Sequence, residues 1–152
     1  MSRAALAKTL GGTGAAAALI ALVAAWEGTR TDPYQDIVGV WTVCTGETNV
    51  PMRRYTKAEC DAMLAKSLAG YAEGVKRLSP RLEGYQLVAA VSLTYNIGEA
   101  AYARSTVRRR FNAGDLRGGC DAFLAWRFAG GREIKGLRNR REAERKICLS
   151  DL

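Results

Sequence analysis

Three side chains early in the sequence have types and spacing suited to one reaction. Glu27 is followed nine residues later by Asp36, and Thr42 comes six residues after that. Cleaving a glycosidic bond needs one group that protonates the leaving oxygen and a second that organises water or attacks the sugar. Glu27 follows Ala24, Ala25 and Trp26. Desolvation beside such apolar residues disfavours a charged carboxylate, which suits a proton donor. Asp36, at the mouth of an expected hairpin, suits an ionised carboxylate that orients water. Thr42 lies two residues before Cys44 on the same expected strand face and offers a hydroxyl to the same water. Taken alone the pair is not specific. Fifteen acids occur in 152 residues, Asp32 and Glu47 compete, and a helix-end acid plus a turn aspartate is the plainer reading.

Composition removes other chemistries. The chain has no histidine, so Ser-His-Asp and Cys-His nucleophile systems and nearly all zinc sites are excluded. No metal or cofactor is expected. Cys44, Cys60, Cys120 and Cys148 form no CxxC. An even number of widely spaced cysteines behind an apolar N-terminal segment points to an oxidising compartment and two disulfides, with four buried thiols as the alternative. Of the three pairings, Cys44–Cys60 with Cys120–Cys148 is favoured because it closes the shorter loops. The net charge of +8 favours a polyanionic partner: nucleic acid, anionic lipid or an acidic wall polymer. Arg108-Arg109-Arg110 and the basic stretch 132–146 lack aromatic interleaving or a groove-reading motif, so a solvated face drawn to anionic cell wall is preferred to nucleic-acid binding.

The elements that must position these residues begin with an apolar segment. Residues 9–26 carry no charge, behind Arg3 and Lys8. As one helix they span roughly 27 Å, just enough for a hydrocarbon core. Ten of the eighteen are Gly or Ala, so the span is held by less free energy than a Leu-rich one. A signal peptide cleaved after Val23-Ala24-Ala25, a buried core helix, and a temporary anchor that later packs on the domain are the three readings. Beyond it, 28–33 reads as a polar turn and 37–44 as a strand with a glycine bend, within a hairpin region at 34–54. Thr56 and Glu59 match a capping box for a helix to Leu78. Pro80 suits the first turn of the next element. Residues 85–97 form the buried central helix, which Gly98 ends. Helices are expected over 100–112, 115–127 and 137–149. Trp41, Trp126 and Phe128 read as core rather than sugar platforms. The result is an α+β fold, mainly helical, with one small β element near its start.

Several blocks resemble a known family. Glu27-Gly28 with the run from Tyr34-Gln35-Asp36 through Thr42-Val43-Cys44-Thr45-Gly46 is similar to the active-site signature of phage-type lysozymes, the glycoside hydrolases related to T4 lysozyme. Tyr55 to Cys60, Tyr95-Asn96-Ile97-Gly98, Gly136-Leu137 and Arg140-Arg141-Glu142 extend the likeness over essentially the whole chain. Within the family it most resembles the phage P21 branch, which starts with a signal-arrest-release segment. The resemblance implies a lysozyme-like two-lobed fold, with a small N-terminal β-hairpin lobe and a helical C-terminal lobe. It divides the chain into a releasable membrane anchor at 1–26 and a catalytic domain at 27–152. It implies an inverting muramidase cutting peptidoglycan between N-acetylmuramic acid and N-acetylglucosamine during host lysis. Glu27 would be the acid, with Asp36 and Thr42 handling water. Tyr95 and Asn96 would line the cleft as substrate-binding residues. Arg140 and Arg141 join that set, and either could pair with Glu27. The expected partners are peptidoglycan and, through the N-terminal segment, the inner membrane, not nucleic acid. The expected state is a monomer on the periplasmic side of the membrane, later freed into the periplasm. The competing function is a tethered basic module that binds wall or nucleic acid without catalysis. Glu47, where many relatives carry a small or neutral polar residue, adds a third acid near the cleft.

Overall fold

The N-terminal segment is not one straight helix. In the computed structural model, which describes residues 2–152, it forms α1 (Ser2–Leu10) and α2 (Thr13–Glu27), set 110° apart. Met1 of the expected anchor lies outside the described residues. The bend falls at Gly11-Gly12, and Gly11 takes φ +87°, a conformation that L side chains rarely adopt. Leu6, Ala7 and Leu10 of α1 and Ala16, Leu19, Ile20 and Val23 of α2 are buried in the main core. Their spacing of three and four residues gives each helix one packed face. Among the described residues no single helix is long and apolar enough to cross a membrane, and the bent pair taken together reaches that length and composition and nothing more.

A hairpin follows, formed by β1 (Arg30–Gln35) and antiparallel β2 (Trp41–Cys44). This corrects two expectations. The stretch 28–33, read as polar turn, supplies most of β1, and the expected strand 37–44 is cut short at its start. Residues 36–39 instead make the turn, because Asp36 accepts hydrogen bonds from the amides of Val38 (3.0 Å) and Val40 (2.8 Å) and Gly39 takes φ +85°. Val43, Cys44, Tyr55 and Cys60 form a second, smaller core with Val50, Met52 and Met63. The Cys44–Cys60 disulfide ties β2 to the long helix α3 (Lys57–Leu78).

Helix α3 starts as the capping box predicts. Thr56 Oγ1 accepts from the Glu59 amide, and Glu59 accepts from the Thr56 amide. Pro80 lies in a turn after α3, not in the first turn of α4 (Gly84–Ile97). All residues from Gln86 to Thr94 of α4 are buried, so it is the central helix. Each of two expected helices is divided. The first becomes α5 (Glu99–Ala103) and α6 (Thr106–Asn112), because Ser105 caps α6 at the Arg108 amide. The second becomes α7 (Leu116–Asp121) and a 3-10 turn, Ala122–Trp126. An unanticipated second hairpin joins β3 (Phe128–Ala129) to β4 (Arg132–Glu133). Gly130 and Gly131 form its turn, both at positive φ. The last helix, α8 (Lys135–Leu149), is pinned to α7 by Cys120–Cys148. Both disulfides are the favoured pairs. Trp126 packs on the core as expected, but Trp41 and Phe128 are half exposed. With the wall of β structure so thin, those two rings have no second layer to pack against.

Candidate active site

Glu27 is the last residue of α2. Gly28 ends that helix at φ +81°, with its amide bonded to the Ala24 carbonyl, and turns the chain into β1. The Glu27 side chain is 31% exposed and meets a buried guanidinium, since Arg140 Nη1 donates to Glu27 Oε2 at 2.5 Å. The expectation of an apolar wall beside Glu27 is therefore corrected. Its immediate neighbour is a cation from α8.

Of the two arginines the sequence left open, the structure pairs Arg140 with Glu27. Arg140 also donates to Glu144 (3.3 Å) and to the Ser92 carbonyl (3.3 Å). Arg141 donates to Asn96 Oδ1 (2.9 Å) and to Glu144 Oε2 (3.3 Å). Its Nε lies 2.7 Å from Glu144 Oε1, in an ion-pair contact without hydrogen-bond geometry. Ser92 Oγ donates to Glu144 Oε2 at 2.5 Å. Arg140, Arg141 and Glu144 are all buried. Burial pushes the Glu144 carboxyl up, while Arg141, Ser92 and Arg140 pull it down. Burial lowers Arg141, and Glu144 opposes that. The cluster is balanced: two guanidinium groups face two carboxylates. Ser92 and Glu144 were not anticipated. The spacing of Glu144, four and three residues after Arg140 and Arg141, was the available signal.

The hairpin carries the other two candidates. Asp36 caps its turn through Oδ1. Thr42 is buried and pairs across the strands with Tyr34, and its Oγ1 donates to the Val40 carbonyl at 3.0 Å. Two contacts hold the base of this hairpin near Glu27. Thr29 and Thr45 share a hydroxyl hydrogen bond of 2.9 Å, and Tyr95 of α4 donates to the Thr45 carbonyl at 3.3 Å. The Tyr95 phenol is pushed up to about 12, first by burial and then by the negative charges of Glu27 and Glu47, so it stays a donor. Tyr71 meets it edge to face at 5.3 Å between ring centres. Glu47 pairs its backbone with Val43, and burial raises its carboxyl against the pull of Lys66. Asn96, beside Tyr95, is exposed.

Known proteins resemble this chain over most of its length. The phage lysozyme family matches residues 24–144. The SAR-endolysin of Enterobacteria phage P21 is 45% identical over 127 residues, covering 81% of this chain and 77% of that protein. The SAR-endolysin of Escherichia phage Mu is 43% identical over 118 residues, covering 76% and 69%. Among solved structures, a mutant of P22 lysozyme superposes with a TM-score of 0.79 at 29% identity, covering 87% and 95%. The muramidase domain of SpmX from Asticaccaulis excentricus gives 0.77 at 30% identity, with the same coverage. The active form of the P1 phage endolysin Lyz gives 0.75 at 25% identity, covering 86% and 82%.

Proposed function

The chain belongs to the phage lysozyme family and is a lysozyme-type glycoside hydrolase, and from that premise we propose that it is an endolysin acting on peptidoglycan, at the β-1,4 bond between N-acetylmuramic acid and N-acetylglucosamine. The observation that carries this reading is Glu27, fixed by buried Arg140 at the end of α2, next to a hairpin bearing Asp36 and Thr42. With Oε2 held by Arg140, Glu27 works through Oε1, which protonates the glycosidic oxygen. Asp36 spends Oδ1 on two backbone amides and uses Oδ2 for water. Thr42 spends its proton on Val40 and so accepts from the same water. Two acceptors holding both hydrogens leave a lone pair of the water aimed at the anomeric carbon. Asp36 takes the proton released on attack, and the anomeric configuration inverts. Arg140 and Arg141 act beneath the site as positioning residues, and Tyr95 and Asn96 contact the sugar chain. No cofactor or metal enters these steps.

The segment 1–26 is a releasable anchor on the catalytic domain 27–152. While it lies in the inner membrane, Glu27 is held at the bilayer surface, away from Arg140, and the enzyme is silent. On release, α1 and α2 pack as described here and the monomer acts in the periplasm. The apolar character of the bent helix pair and the similarity to the SAR-endolysins of phages P21 and Mu support this reading. The test is peptidoglycan digestion by wild type and Glu27→Gln, with mass spectrometry of the products. Products ending in reducing N-acetylmuramic acid, lost in the variant, are expected. Anhydro ends would instead mean a transglycosylase, and equal digestion by both proteins would remove Glu27 from the mechanism.

A further inference from the structure

The turn of the first hairpin has an unusual surface. Ile37 is 102% exposed, Val38 78%, Trp41 53% and Val40 45%. Four of the nine large exposed apolar side chains among the described residues thus fall within five consecutive positions. Scattered exposed apolar residues need no explanation, but a contiguous patch does. The backbone of the tip is also closed by hydrogen bonds. Asp36 holds the amides of Val38 and Val40, the Asp36 and Val40 backbones pair, and Gly39 closes the turn.

We propose that this tip is a membrane-contact site, which inserts Ile37 and Val38 into the lipid interface while the enzyme is tethered. The inference rests on the anchored reading above. Three observations favour lipid over polysaccharide. First, Ile37, Val38 and Val40 have no side-chain donor or acceptor with which to read sugar hydroxyls. Second, the patch has interfacial chemistry: aliphatic side chains at the apex and a half-exposed indole beside them, on a chain of net charge +8. Third, Ile37 lies ten residues beyond Glu27, so the apex stays within roughly 35 Å of the anchor's end even at full extension. The lobe does not need the anchor packed in order to keep its shape. Its small core and its disulfide contain no residue before Val43. A tip seated in lipid buries the turn that Asp36 caps, so the tethered enzyme withholds Asp36 from the wall as well as Glu27.

The experiment compares the full chain with its Ile37→Ser/Val38→Ser variant. Partition is measured by flotation with vesicles of phosphatidylethanolamine containing a minor fraction of phosphatidylglycerol. Both proteins carry the same α1 and α2, so any difference reports the tip. Losing two aliphatic side chains that would be half immersed in lipid should lower partition roughly tenfold to a hundredfold, with peptidoglycan digestion unchanged. Equal partition of the two proteins overturns the proposal. So does a loss of peptidoglycan digestion without a change in partition, which would make the tip a wall contact. Fractionation of cells before lysis tests the anchor separately: wild type found only in the soluble fraction refutes tethering, whatever the vesicles show.

Discussion

Replacing Glu144 with glutamine tests whether the buried charge cluster is what holds the site together. Glu144 is fully buried between Arg140 and Arg141, and its Oε2 also accepts from Ser92. Glutamine keeps the shape but turns one oxygen into a donor facing guanidinium donors. Two buried cations would then share one carboxylate, that of Glu27, which is 31% exposed. Removing one partner from a buried ion pair costs about 3–5 kcal/mol. That is a large part of the roughly 5–15 kcal/mol that holds a domain together. At about 2–4 °C per kcal/mol for a domain of this size, the midpoint should fall by roughly 6–20 °C. The assay is thermal unfolding followed by circular dichroism, with both disulfides intact, supported by the urea midpoint and slope. Glu27→Gln is the control. Its carboxylate is partly solvated and Arg140 keeps Glu144, so its midpoint should fall by less than half as much while its activity is lost. A shift under about 2 °C for Glu144→Gln, or equal shifts for the two variants, would refute the reasoning that charge balance in this cluster controls stability.

Two other outcomes are expected. Gly12→Leu with Gly14→Leu should keep the enzyme in the membrane and delay lysis, because neither site has a neighbour within 4 Å in the packed form and both changes strengthen the anchor. Gly11 is left alone, since its positive φ would add strain of a different origin; lysis on the normal schedule would contradict release from the bilayer. Glu47→Gln should raise the unfolding midpoint at pH 7. Burial lifts the Glu47 carboxyl above its ordinary 4.5, so the folded state holds that proton more tightly and stability falls as pH rises through the window above 4.5. The gap between variant and wild type should close on acidification below that window, and a gap that widens in acid would reverse the sign of this argument.

Local rules were legible where a few neighbouring residues decide the outcome. The capping box at Thr56 and Glu59, the stop at Gly98 and the short-loop cysteine pairs all follow from nearby residues. The hairpin was misplaced by several residues because β-branched Ile37 and Val38 read as strand. A carboxylate two residues from Val38 and four from Val40 competes for the same amides, and it wins the turn. Trp41 and Phe128 read as core because hydropathy does not report whether a second layer exists to cover them.

The family, the mainly helical class and the candidate acid, carboxylate and hydroxyl near the start of the chain were determined by the sequence itself, through motifs contained in short stretches. Which arginine meets Glu27, where the apolar segment bends and which charge is buried beside which were decided only by the tertiary structure. Arg140 and Glu27 are 113 residues apart. Both arginines are adjacent on one helix, and a helix turns successive side chains by about 100°. Only the packing of α8 and α2 against α4 selects which of the two faces the acid.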